Sequence, residues 1–129
     1  MNKLFILCLS LLLILSNSFV LAQSMKKATK EMWYESVVGN RLVGGRSIAP
    51  CNLVIEKNGF LTGYCNYKGT NNIIQGNWTF DNKKGYCNSF NMFVQAEGKF
   101  MSRNRECQSV MISGNKVTFD GNAYRILKK

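Results

Sequence analysis

Apolar and polar residues alternate with a period of two along most of this chain, a rhythm that predicts half-buried strands. Strand-like runs recur at residues 42–48, 53–56, 60–67, 73–80, 86–95, 100–112, 116–120 and 123–127. Between them stand Asn58-Gly59, Lys68-Gly69, residues 81–85, Glu97-Gly98, Gly114-Asn115 and Gly121-Asn122. These are turn signals, because glycine and asparagine tolerate the backbone that tight hairpins need. One segment departs from the rhythm. Residues 24–36 predict a helix, with Ser24 as its N-cap, Met32, Trp33 and Val37 along its apolar edge, and Gly39-Asn40 ending it.

Short turns joining so many strands predict a meander, and a meander most readily removes its exposed edges by closing on itself. The expected fold is therefore all-β: a small antiparallel up-and-down β-barrel of about eight strands, preceded by a short N-terminal helix. A sandwich is the alternative arrangement of the same strands.

The first 22 residues fall outside that pattern. Lys3 precedes an apolar run over residues 4–15, and Val20-Leu21-Ala22 offers compact residues where a signal peptidase cuts. The run is broken by Ser16, Asn17 and Ser18 and is shorter than the roughly 20 residues of a spanning helix, which favours a cleaved leader over a membrane anchor. Cys8 lies inside the run rather than at the cut, which disfavours a lipoprotein anchor. The remaining 107 of 129 residues make one domain, residues 23–129, with a modest core.

Without Cys8 the chain keeps Cys51, Cys65, Cys87 and Cys107. An even count in an exported domain of this size predicts two disulfides, and these spacings, with no histidine present, match no zinc signature. Hairpin arithmetic pairs them. A three-residue loop at Lys57-Asn58-Gly59 sets Glu56 opposite Phe60, and the same register sets Cys51 opposite Cys65. A matching loop at Ala96-Glu97-Gly98 sets Gln95 opposite Lys99 and Cys87 opposite Cys107. Opposed residues lie within disulfide reach, and each bridge is expected to contribute roughly 3 kcal/mol.

The second register also assigns faces. Phe90, Met92 and Val94 point inward and meet Asn104, Ser102 and Phe100, while Tyr86 faces Gln108 and Asn88 faces Glu106. Two readings follow. Asn88, Phe90, Asn104, Glu106 and Gln108, with Trp78 from the neighbouring strand, line a small ligand cavity; or the long strand bulges near residues 102–105 and turns its polar groups to solvent. The bulge is the preferred reading. Outside, Arg103 and Arg105 share a face with Phe93 and Asn91 as a basic, aromatic patch, and Lys83 and Lys84 tip the turn after Phe80. Gly76 is expected where its strand bends or packs closely, with Trp78 and Phe80 facing the core. Asn77-Trp78-Thr79 matches a glycosylation acceptor, but it lies in a predicted strand.

Charge and residue inventory narrow the function. Without histidine, neither a Ser-His-Asp nor a Cys-His arrangement can be built. The seven carboxylates, Glu31, Glu35, Glu56, Asp81, Glu97, Glu106 and Asp120, are scattered, so a glycosidase pair would have to converge from distant strands. Removing Lys3 with the leader leaves sixteen Lys and Arg against seven Asp and Glu, a formal charge of +9 that attracts anionic surfaces. Export makes nucleic acid an unsuitable partner for it. Lysozyme inhibition, an activity found among small exported eight-stranded barrels, fits poorly, since a basic barrel is repelled by a basic enzyme.

Five short stretches carry a resemblance: Gly39-Asn40-Arg41-Leu42, Asn58-Gly59, Gly76-Asn77-Trp78-Thr79-Phe80, Gly85-Tyr86-Cys87 and Cys107-Gln108-Ser109-Val110. Together they resemble a group of small exported bacterial proteins classed as a domain of unknown function, with a lipocalin-like small β-barrel. The resemblance implies export, a small β-fold and one cysteine pair across Cys87 and Cys107, and it supplies no activity. The pairing of Cys51 with Cys65 departs from that group's pattern and rests on register alone.

The sequence thus predicts a monomeric, periplasmic or secreted protein without cofactor, metal or catalytic residue. It is expected to bind a small apolar or anionic envelope ligand, in the barrel or on its basic surface. An envelope protein-interaction or inhibitor module is the alternative, and a hydrolase acting on cell-wall glycans a more distant one.

Overall fold

A computed structural model describes residues 25–129. The leader predicted over residues 1–22 and the cap predicted at Ser24 lie outside them. The elements are β1 (Lys26–Lys27), α1 (Lys30–Ser36), β2 (Arg41–Gly44), β3 (Cys51–Ile55), β4 (Phe60–Tyr67), β5 (Thr70–Asp81), β6 (Gly85–Val94), β7 (Lys99–Gln108), β8 (Val110–Ser113), β9 (Lys116–Phe119) and β10 (Asn122–Leu127). All pairings are antiparallel, in the order β1-β8-β9-β10-β2-β3-β4-β5-β6-β7.

The all-β expectation holds, but the sheet has ten strands rather than eight and curls into a half-barrel. The strand predicted over residues 100–112 divides at Ser109: β7 pairs with β6, and β8 pairs with β9. Asp120 fixes the division. Its carboxylate accepts from Ser109 N at 2.8 Å, and its own N–H donates to the Ser109 carbonyl at 2.9 Å. Among the described residues the second edge of β7 has no strand partner, so the cylinder stays open along that strand.

Strand β1 also corrects the helix. Lys26 and Lys27, predicted to be helical, pair with Ile112 and Met111 instead, and Ala28 N donates to the Val110 carbonyl at 2.9 Å. Sheet pairing overrides weak local helix preference there. The helix therefore starts at Lys30, with Thr29 as its N-cap accepting from Met32 N at 3.2 Å.

Both disulfides form as expected, Cys51–Cys65 and Cys87–Cys107, each with Cα atoms 4.0 Å apart. The first hairpin has the predicted three-residue loop, with Gly59 at φ +89°. The second does not. Val94 faces Lys99, which is one residue off the predicted register, and a bulge between Asn88 and Phe90 absorbs the offset before Cys87 meets Cys107. The bulge sits where Arg105 takes φ +30° and donates its N–H to Ser89 Oγ at 2.8 Å.

Packing on the concave face divides into two clusters. The larger centres on Trp33, fully buried from α1, whose ring stacks on Phe80 with centroids 5.0 Å apart and also meets Trp78, Tyr86 and Phe119. Trp78 Nε1 donates to the Glu56 carbonyl at 2.9 Å. The smaller cluster is built on Cys65, Met92 and Val94, flanked by Cys51, Tyr67 and Phe90.

Between the clusters the inner rows of side chains run Leu53, Gly63, Ile74, Met92 and Ile55, Leu61, Gly76, Phe90. Glycine in each row lets a neighbouring strand's backbone come close. A Cβ on Gly76 would strike the Ser89 carbonyl oxygen and come within 2.7 Å of Phe90 Cα; one on Gly63 would strike the Asn52 carbonyl oxygen. These two positions let the sheet coil tightly, and a hollow lies on its concave face between the clusters.

Candidate functional site

The hollow is a cavity of about 270 Å³. Its apolar wall includes Leu53, Ile55, Leu61, Ile74, Phe90 and Met92, and the Cys51–Cys65 bridge lies in the same wall. Its polar groups are Arg46, Tyr86, Asn88, Arg103, Gln108, Asn122 and Tyr124. The lining contains two arginines and neither aspartate nor glutamate.

Each polar group is placed by a local feature. The bulge at Arg105 shifts the strand so that Arg103, not Asn104, faces Phe90, and the guanidinium lies 5.3 Å from that ring's centroid. Arg103 also pairs with Glu106 at 3.3 Å, a surface contact worth little because Glu106 is largely exposed. Arg46 reaches the cavity from the segment between β2 and β3. Among the described residues, Arg103 with Glu106 is the one ion pair, so Arg46 meets no carboxylate.

Tyr86 and Asn88 sit together on β6. Asn88 Nδ2 donates to Tyr86 Oη at 3.1 Å, and Asn88 Oδ1 is buried without a hydrogen-bond partner. A buried amide oxygen of this kind carries a cost on the order of 1–3 kcal/mol until something donates to it. Burial pushes the Tyr86 phenol well above its usual range, with a lesser opposing effect from the Asn88 bond. Burial raises Tyr124 too, against the smaller lowering effects of Arg103 and Arg46. Both phenols thus stay protonated and able to donate at neutral pH.

The sequence-predicted site divides. Asn88, Phe90 and Gln108 line the cavity. Trp78 does not: it is buried against Trp33 and Tyr34. Asn104 and Glu106, expected inside, are exposed: the bulge turns Asn104 outward, whereas Glu106 keeps its expected place opposite Asn88 but stands on the edge strand. The basic patch also breaks up. Arg103 turns inward, Arg105 occupies the bulge, and Lys83 and Lys84 sit at a separate turn where their N–H groups donate to Asp81 Oδ1 at 2.8 and 2.6 Å. Those hydrogen bonds, led by the one from Lys84, hold the Asp81 carboxyl below its usual range.

Sequence reasoning missed Arg46, Tyr124 and the aliphatic wall. Only the glycines hinted at them. Gly63 and Gly76 interrupt otherwise apolar inner positions, which is the signature of a tightly coiled sheet with a concave face.

A second surface lies outside. Tyr64 opposes Ile73, Phe93 opposes Phe100, and Ile73 and Phe93 each lie one step from the pair Ile74 and Met92. The row crosses four strands with Ile73 67% and Phe100 77% exposed.

Among the described residues, no cluster of three or more His, Cys, Asp or Glu side chains gathers where a metal could sit, and no helix is long and apolar enough to cross a membrane. The fold and site define a disulfide-stapled half-barrel with an apolar, arginine-rimmed cavity. The chain matches no protein-family model, no curated protein and no solved structure.

Proposed function

We propose that this is an exported, non-enzymatic binding protein that holds a small, largely apolar ligand on the concave face of its half-barrel. The observation that carries the reading is the buried Asn88 Oδ1 without a partner, set in a cavity of about 270 Å³. A buried acceptor without a partner in the protein costs stability, and a ligand that donates to it recovers that loss. Export is supported by the apolar leader of the sequence together with two disulfides, which persist in oxidising compartments. A binding role without covalent chemistry is supported by a lining that offers cations, phenols and amides, but neither histidine nor carboxylate.

The exposed row of Tyr64, Ile73, Phe93 and Phe100 supports a second reading, in which the outer face contacts another envelope component. Native mass spectrometry of protein purified from its source cell separates the two. Under the cavity reading, wild-type protein carries a small-molecule mass increment that an Ala49→Trp variant, obstructed at a lining residue, lacks. The same increment on both proteins, or none on either, overturns it.

A further inference from the structure

The cavity's walls and rim specify more than an apolar guest. Its aliphatic side, formed by Leu53, Ile55, Leu61 and Ile74, suits a hydrocarbon body. A volume of about 270 Å³ corresponds to about nine waters of liquid, and hence to a ligand of about ten non-hydrogen atoms. The polar side is one-signed. Arg103 and Arg46 are both present, no carboxylate shares the lining, and the partner of Arg103 is an exposed Glu106 that a ligand can replace. Tyr86 Oη accepts from Asn88 Nδ2, which leaves its O–H to donate. The Tyr124 hydroxyl and the Gln108 amide add donors on the same lining.

Resting on the cavity reading above, we infer that the ligand is a small acidic amphiphile. Its anionic head is held by Arg103 with help from Arg46 and the Tyr86 hydroxyl, and its hydrocarbon body lies along Leu61 and Ile74. Two physical arguments select an anion. A cation entering this cavity meets two guanidinium groups, with the exposed Glu106 beside Arg103 as their one carboxylate partner, so it is disfavoured. A neutral guest fills the apolar wall but leaves the guanidinium of Arg103 with its exposed surface partner alone, whereas a carboxylate forms charge-assisted hydrogen bonds there in a partly dry setting. The Phe90 ring, its centroid 5.3 Å from the guanidinium, attracts the cation to this part of the rim before the head arrives.

Binding of decanoate, 1-decanol and decylamine, followed by side-chain and backbone NMR shifts at neutral pH, tests this. Decanoate is expected to bind at least about tenfold tighter than 1-decanol, the difference one charge-assisted bond supplies, with decylamine weakest. Arg103→Leu is expected to remove the preference while 1-decanol still binds. A Lys83→Gln, Lys84→Gln double variant is expected to keep it, since those lysines alter net charge away from the cavity. Equal affinity for acid and alcohol, or a preference that vanishes with Lys83 and Lys84, overturns the inference and leaves the cavity reading intact. Failure of all three probes to bind overturns both.

Discussion

Arg103 faces Phe90 across β7 and β6, its guanidinium 5.3 Å from the centre of the ring. The pairing follows from the four-residue loop between Val94 and Lys99, and the extra residue at the Arg105 bulge reconciles it with the Cys87–Cys107 bridge. In the unbulged register Asn104 faces Phe90, and the arginine points to solvent. Loop and bulge together therefore carry a cation from the outer face to the rim of the cavity.

The bulge itself can be tested. Arg105 holds φ +30°, a region that L side chains seldom occupy and β-branched ones avoid. Arg105→Gly is expected to be at least as stable as wild type, and Arg105→Val less stable by about 1–2 kcal/mol, measured by denaturant unfolding. Equal loss in both variants would mean that the Arg105 side chain, not its backbone, holds the bulge.

How much of this was legible in the sequence depends on the scale of the feature. The alternating pattern located every long strand, and the cysteine pairing followed from hairpin arithmetic, because disulfides and turns are local constraints. In the second hairpin the arithmetic reached the right partner through an offset: a four-residue loop shifted the register, and the bulge shifted it back. Between loop and bulge, the faces of residues 99–104 are the reverse of those expected, so Arg103 lies inside and Asn104 outside. The break at Ser109 depends on Asp120, eleven residues away. Nothing in the local pattern of residues 100–112 announces it. Arg46 and Tyr124 come together only when the sheet curls, so no single stretch could reveal them.

Asn88 separates stability from function. Replacing it with leucine removes the buried acceptor, so Asn88→Leu is expected to melt above wild type, by roughly 1 kcal/mol of added stability, while ligand binding weakens. Lower stability would instead make the Tyr86 contact structural, and Asn88 a part of the core rather than of the site.

Trp33 closes the larger cluster against four aromatic rings and is fully buried. Trp33→Ala is expected to cost about 3–5 kcal/mol, a large share of the stability of a domain this size, and to leave the chain partly unfolded at 37 °C by circular dichroism. Phe100→Ser, at a site 77% exposed, is expected to change stability by less than about 0.5 kcal/mol.

Tyr86 sets a pH limit. Burial raises its phenol above the range of an unfolded tyrosine, so the unfolded chain loses that proton near pH 10 while the folded chain keeps it. This contribution to stability is intact below about pH 10 and lost as pH rises above it. Denaturant titrations at pH 8 and pH 11 should show the fall, and Tyr86→Phe should show a shallower one. An unchanged slope in Tyr86→Phe would assign the alkaline loss to other groups.

The central claim is that the space between the two clusters receives a small apolar molecule. Its most direct measurement is a titration with 1-decanol followed by NMR. The account expects saturable shifts at the methyl groups of Leu53, Ile55, Leu61 and Ile74, with the Trp33 indole unmoved behind its cluster. Shifts confined to Ile73, Phe93 and Phe100 on the outer face, or shifts that never saturate, would contradict it.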